Sequence, residues 1–389
     1  MFRRWLLMTV LAVMWLALAD VQTPLRAQTR PGPVKVGVII GMTGPGASLG
    51  IPYRNTFSIL PPTLGGLAVE YILLDDETEP TNAVRHARKL VSEDRVDLLM
   101  GSTNVPTATA VTEVSAELQT PQIALTPLGG AVAKNPWVFS IPQPASIVMG
   151  AVAEHMQSNN VRRVAYIGLS DSWGDLVLAA MLGHAQRTGI TLITDERYGR
   201  LDTSVTGQIL RVLAANPDAI LVGGSGTPGA LPHIALAQRG FTGPVYNTPA
   251  VVNQDFLRVG GQAVEGAIAP TGPVMVAGQL PDSNPIKRVS LAFTRLYENH
   301  FGPGSRNAFA AYSWDAYLVA DQAVRRAVSA GAMPGTAPFR QALRQALEAS
   351  TEVVGTHGVY NMSASDHAGV DERSRVLVRV QDGQWKLID

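Results

Sequence analysis

Leu67-Ala68-Val69-Glu70-Tyr71-Ile72-Leu73-Leu74, then a stretch carrying Ala83, Val84, Ala87, Leu90 and Val91, then Val96-Asp97-Leu98-Leu99-Met100: these residues decide the fold. The first and last runs are short and aliphatic or β-branched, as strands are. Between them the apolar residues recur three and four apart, which puts them on one stripe of a helix that Asp94 ends. Strand, helix and strand in so short a span make a right-handed βαβ unit, and such units build parallel sheets. Upstream, Val34-Lys35-Val36-Gly37-Val38-Ile39-Ile40 supplies one more strand for the same sheet.

Downstream of Pro142 and Pro144 the alternation begins again. Helical patterns at Ile147 to Gln157, Leu176 to Arg187, Gln208 to Ala215 and Ala230 to Arg239 are interleaved with strand patterns. Those strands fall at Val164 to Gly168, Leu192 to Arg197, Ala219 to Gly223 and Val245 to Asn247. A second, separate doubly wound sheet follows. Ala269-Pro270-Thr271-Gly272-Pro273 reads as a second crossing between the two. After it come helical patterns at Ile286 to Asn299 and Ala308 to Ser329, and strands around Val376 to Val380 and Trp385 to Ile388. No unit recurs at a fixed period, which excludes solenoids and propellers.

Composition narrows the function. The 389 residues are 46% hydrophobic and 16% charged, enough apolar material for two domains with full cores. Thirty-one basic residues balance 31 acidic ones with no basic run, so nucleic acid is not an expected partner. Phe2-Arg3-Arg4, the apolar run Trp5 to Leu18 and the small residues of Ala17-Leu18-Ala19 read as a secretory leader, with a second cleavage point after Ala27. Residues 1–27 are taken as the leader, and Thr29 to Pro33 as the tail of the mature chain. The run is shorter than the roughly 18 residues a spanning helix needs, so no membrane insertion is expected after cleavage. The absence of cysteine excludes disulfides and a lipid-modified N-terminal cysteine. Seven scattered histidines show no metal-ligand spacing, and no metal or cofactor is expected.

An ordered series of landmarks then resembles a known family. Gly41-Met42-Thr43-Gly44-Pro45 follows the first strand. Asp75-Asp76-Glu77-Thr78-Glu79-Pro80 precedes a helix with Ala83-Val84 and Lys89-Leu90. Gly101-Ser102-Thr103, Thr126-Pro127 and Asp171-Ser172-Trp173-Gly174 come later in the chain. Over essentially the whole mature chain this is similar to the type I periplasmic binding proteins, specifically the branched-chain amino-acid-binding group of ABC importers. The resemblance implies an α/β fold of two doubly wound parallel-sheet lobes joined by a three-crossing hinge, one lobe at 34–141 plus 272–354 and the other at 142–271 plus 355–389. It also implies a periplasmic, monomeric, non-enzymatic protein that captures a small carboxylate between the lobes. Its partners would be a permease and the permease's ATPase subunits. A ligand-presenting sensor on the same scaffold is the alternative. An enzyme on it is a further one, but no Gly-x-Ser-x-Gly elbow and no catalytic carboxylate pair supports that.

The loops that follow strands carry the candidate residues, because open α/β sheets bind ligands beyond the carboxyl ends of their strands. Gly41 to Gly50, with Thr43, is glycine-rich and enters a short helix, as an anion-holding loop does. A dinucleotide reading of Gly44 and Gly46 would put Asp75 or Asp76 on a ribose, but that spacing exceeds the expected about 20 residues. Ser102, Thr103 and Asn104 precede a helix that starts near Val105-Pro106. They either hold a carboxylate or cap that helix, and both readings stand. Leu128, Gly129 and Gly130 would bring bare backbone near a ligand. Gly223 to Thr227, with Ser225, lacks the lysine of a phosphate loop and reads as a cleft-lining turn. Arg54 is a candidate carboxylate partner or an ordinary surface arginine.

Other roles come only from the resemblance. Trp173 sits where the family tends to place an aromatic over the ligand, and Phe309 and Tyr312 line the other wall, core packing being the alternative for each. Gly130 stands where amino-acid binders carry a gripping threonine and Val105 where a serine is expected. Thr248 to Val251, with Ala250, replaces the acid that neutralises an α-ammonium. The expected ligand is an amino acid or an aromatic or keto acid, and the missing ammonium partner favours a carboxylate without an α-ammonium.

Overall fold

A computed structural model of the chain describes residues 32–130 and 134–388; the leader read at 1–27 lies outside them. In the first half, β1 is Val34–Ile40, α1 Ala47–Phe57, β2 Thr63–Leu64, β3 Leu67–Asp75, α2 Pro80–Ser92, β4 Leu98–Gly101, α3 Val105–Glu117, β5 Gln122–Ala124 and β6 Val138–Ser140. The next stretch holds α4 Ala145–Ser158, β7 Arg163–Leu169, α5 Ser172–Thr188, β8 Thr191–Tyr198, α6 Thr206–Ala214, β9 Ala219–Gly223, α7 Ala230–Ala237, β10 Val245–Asn247, α8 Gln254–Gly260 and β11 Ile268–Thr271. The chain finishes with α9 Pro285–Phe301, α10 Ala308–Ser329, α11 Ala337–Glu348, the pair β12 Val353–Val354 and β13 Val359–Tyr360, then β14 Val376–Gln381 and β15 Gln384–Ile388.

Two main sheets result. The first runs β2-β3-β1-β4-β5-β6, parallel except for the β2 edge. The second runs β15-β14-β11-β10-β9-β7-β8, with β14 and β15 antiparallel. The lobes are thus parallel-dominated rather than wholly parallel. In the opening βαβ unit, α2 buries Ala83, Ala87 and Leu90 against Ile39 and Leu99, on the stripe read from the sequence. The first lobe's main core joins Val36, Val38 and Met100 to Ala316, Ala320 and Leu343 of the late helices.

Several short elements go unread in the sequence, and two differences bear on the core. Ile268 to Thr271, read as part of a crossing, is a strand despite Pro270. It pairs with β10 only at Tyr246–Ile268, so the missing proline N–H interrupts no ladder on that side, while β14 pairs along its other edge. Helix α11 was unread, although it buries Phe339, Leu343, Ala346 and Leu347 at helical spacing. In addition, Phe293 and Tyr297 of α9 pack in the cluster that holds Phe256 and Trp385 of the second lobe. The sequence reading groups them with the first lobe.

The main chain passes between the lobes near Ile141–Pro144, after Thr271, and between β13 and β14. Side chains stitch these passages together. Gln143 accepts from the Tyr312 hydroxyl at 2.6 Å and donates to the Ser374 carbonyl at 2.6 Å. Tyr312 stacks on His357, ring centroids 3.8 Å apart, and His357 fills the space where a Cβ on Gly272 would stand, 1.7 Å from Nδ1. Only glycine fits there.

Candidate functional site

A cavity opens between the two sheets and is lined from both, where open α/β sheets place small-molecule sites. From the first lobe come Leu49 and Tyr53 of α1, Thr103, Asn104 and Val105 after β4, Leu125 to Pro127 after β5, and Phe309 and Tyr312 of α10. The second lobe adds Trp173 at the start of α5, Arg200 after β8, Ser225 after β9, and Pro249 and Ala250 after β10. Pro142 and Gln143 of the first passage complete the wall. The strands' carboxyl ends face this space, as the topology requires.

The aromatic wall is fixed by hydrogen bonds at its polar edges. Tyr53 donates to the Leu125 carbonyl at 2.6 Å, and its ring lies 5.9 Å from that of Phe309. Burial, with Tyr312 nearby, pushes the Tyr53 phenol well above its ordinary range. Burial and Asp315 push Tyr312 up likewise. Both rings therefore stay neutral donors. Trp173, 3% exposed, gives its indole N–H to the Gly224 carbonyl at 2.9 Å, which fixes the ring plane. Thr248 donates to the same carbonyl at 2.8 Å.

One carboxylate organises the opposite side. Asp171 caps α5: its Oδ1 accepts from the N–H groups of Trp173 and Gly174, at 2.9 and 3.3 Å. Its Oδ2 accepts from Arg200 Nε at 2.7 Å. Arg200 lines the cavity, and its Nη1 is buried without a partner. A buried guanidinium N–H without an acceptor is costly, and a ligand carboxylate would relieve that cost. Neither Asp nor Glu lines the cavity among the described residues.

Of the residues singled out from sequence, Thr103, Asn104, Trp173, Ser225, Ala250, Phe309 and Tyr312 line this cavity. The others lie elsewhere. Thr43 is exposed and donates from Oγ1 to Asp75 Oδ2 at 2.8 Å. Asp75 also collects the N–H groups of Met42, Thr43 and Glu77. Against its burial, the bonds from Glu77, the Thr43 hydroxyl, Met42 and the Thr43 N–H hold its carboxyl below the ordinary range. Asp75, at the end of β3, thereby braces the glycine loop. Ser102 is fully buried and donates to Asp76, behind the cavity wall. Arg54 is exposed on α1 and donates to Asn55 at 2.8 Å. Leu128 packs with Ala108, Ala124 and Val138. Gly129 and Gly130 lie past the cavity, Gly129 against Leu176 and Gly130 exposed.

Arg200 was missed by the sequence reading. The signal was available: it is the first cation past the end of a second-lobe strand, two residues beyond Tyr198. Arg197, by contrast, sits within the strand and pairs with Asp175 and Asp195. Gln143 and Tyr53 were also missed, and nothing local marks them.

A family profile described as periplasmic binding protein matches residues 33–384. The chain belongs to the type I periplasmic binding proteins. An extracellular ligand-binding receptor from Rhodopseudomonas palustris HaA2 is 41% identical, with TM-score 0.89, covering 92% of this chain and all of that one (100%). More distant members of the fold include a leucine binding protein from Thermotoga maritima at 21% identity, TM-score 0.79, covering 92% of this chain and 98% of that chain. Another is an ABC transporter solute-binding protein from R. palustris, solved in complex with benzoate, at 19% identity and TM-score 0.76, covering 92% and 96% of the two chains. Like other periplasmic binding proteins, this one sets its cavity between lobes. No helix among its described residues is long and apolar enough to cross a membrane.

Proposed function

We propose that this periplasmic binding protein is the solute-capturing component of an ABC importer and that its ligand is a small carboxylate without an α-ammonium, aromatic or keto. The observation that carries the reading is the charge of the cavity. Among the described residues its lining holds one arginine or lysine, Arg200, whose Nη1 is buried and unpartnered, and no acid. An α-ammonium enclosed there would lack a counter-charge and cost several kcal/mol. Pro249 and Ala250 line the wall, and the resemblance puts the amino-acid clamp's carboxylate at this point of the chain. The faces of Trp173, Tyr53 and Phe309 suit a flat apolar body. Benzoate in a relative of the same fold is in keeping with this class.

In this reading the free protein opens about its three passages, the carboxylate docks on Arg200, and closure of the lobes presents the liganded form to a permease. It acts as a monomer in the periplasm and catalyses nothing. Titration of leucine, valine, phenylpyruvate and benzoate under one condition tests it: the two acids should bind more tightly. Tighter binding of both amino acids would overturn the proposal.

A further inference from the structure

Arg200 is not the only cavity residue with an unmatched polar atom. Asn104 lines the cavity from the opposite lobe, is 3% exposed, and its Oδ1 has no hydrogen-bond partner. Its position makes this notable. Asn104 is the N-cap residue of α3, where an asparagine oxygen ordinarily accepts from the helix's first-turn N–H groups, yet no side-chain cap forms. The amide Nδ2 instead reaches Thr103 Oγ1 at 3.4 Å, and the hydroxyl of Thr107 donates to the main-chain carbonyl of Asn104 at 3.0 Å. A capping bond is thus forgone while a buried acceptor stays unsatisfied, a combination a protein interior rarely tolerates without an outside partner.

We propose that Asn104 is a specificity determinant that reads a hydrogen-bond donor on the ligand, so that the ligand is a carboxylate bearing a second polar group, a hydroxyl, at the end away from Arg200. This rests on the proposed carboxylate reading and deepens it. The two poles differ chemically. Arg200 offers only donors, which match a carboxylate. The Asn104 end combines an acceptor, Oδ1, with a helix start that has no side-chain cap, so donor and acceptor stand side by side. A hydroxyl gives a proton to one and takes one from the other. A second carboxylate has no proton to give Oδ1 and would be repelled by it. Because Asn104 and Arg200 belong to different lobes, a ligand with both groups ties the lobes together, and a simple carboxylate engages one lobe's pole alone.

The test is calorimetric titration of the intact mature protein with benzoate, para-hydroxybenzoate and terephthalate, and with phenylpyruvate and its para-hydroxy counterpart as a longer pair. At least one hydroxy acid should bind about tenfold or more tightly than its parent, and terephthalate more weakly than para-hydroxybenzoate. In Asn104→Leu the hydroxyl preference, read as the ratio of hydroxy-acid to parent-acid affinity in the same variant, should fall to about twofold or less. Asn104→Asp, which keeps an acceptor oxygen, should restore the preference and guards against a misfolded leucine variant. Equal binding of parent and hydroxy acids by the native protein would overturn the proposal and leave the carboxylate reading intact, with water satisfying Asn104. Terephthalate binding more tightly than para-hydroxybenzoate would overturn it too, as would a preference that survives Asn104→Leu. If none of the acids binds but leucine does, the carboxylate reading itself has failed.

Discussion

Replacing Arg200 by methionine removes the one arginine or lysine among the described cavity-lining residues while keeping an unbranched apolar stem of similar length. Two costs must be separated. In the free protein, Asp171 loses its partner at 2.7 Å, but its Oδ1 still caps α5 and its side chain remains 22% exposed, so water replaces the lost donor. The fold should lose no more than about 1 kcal/mol, as partly exposed ion pairs do. In the complex, the ligand carboxylate loses a charge-assisted bond from a guanidinium that is 13% exposed and has a buried N–H. Truncating one side of such a buried charged pair costs about 2–4 kcal/mol, or roughly 30- to 1,000-fold in Kd. Calorimetry with benzoate measures the second cost and thermal melting of the unliganded protein the first. Asp171→Asn keeps the cap and loosens the guanidinium, so it should fall between. Benzoate affinity within threefold of native in Arg200→Met, with the melting point preserved, would refute the assignment of Arg200 as the carboxylate anchor.

Trp173→Phe keeps an aromatic face but removes the bond to Gly224; benzoate should bind about 1 kcal/mol more weakly by calorimetry, and an unchanged affinity would place the indole outside the contact. Gly226 has φ +60°, and a Cβ there would approach Ser48 Oγ and Leu49 Cδ1 of the other lobe to 2.8 Å, so Gly226→Ala should prop the rim apart; small-angle scattering should then show little ligand-dependent compaction where the native protein compacts. Burial holds the imidazoles of His233 and His357 down to about 4 and about 3, whereas in the unfolded chain they titrate near 6.5. Between pH 7.5 and 5 the unfolded chain takes up their protons first, so each costs about 2 kcal/mol of stability over that window. Asp315 runs the other way, because burial raises its carboxyl to about 6 and the folded state takes up that proton first, returning about 1 kcal/mol. Urea melts of native protein and His357→Gln should therefore converge as pH falls from 7.5 to 5, and parallel curves would show that His357 does not carry this dependence.

The elements were legible where burial imposes a period. Val34 to Ile40, Ala219 to Gly223 and Ala308 to Ser329 begin and end where their apolar patterns do, because each packs its full length on a sheet or core. The strand at Ile268 to Thr271 was hidden by a proline whose tolerance depends on which neighbour pairs on which side, a tertiary fact. Candidate site residues were legible where a strand ends, as for Thr103, Asn104 and Ser225. Thr43, Ser102 and Arg54 occupy suitable loops or follow one, but Asp75, Asp76 and Asn55 claim their side chains. Those partners lie up to 32 residues away in the chain, and a linear reading cannot weigh that competition. Arg200 shows the converse, since what makes it a candidate is the N–H that Asp171 leaves unmatched.

The contact of Gly226 with Ser48 and Leu49 at the rim has a kinetic consequence. If a solute between the lobes leaves only when they part, release waits on opening. Its residence time is then bounded below by the waiting time for opening, whatever the strength of the contacts inside. Substitutions in the cavity wall should change escape per opening event, whereas substitutions at the rim or along the Gln143 stitch should change how often openings occur. Two proteins with the same Kd, one altered at the wall and one at the rim, would hand over their cargo at different rates.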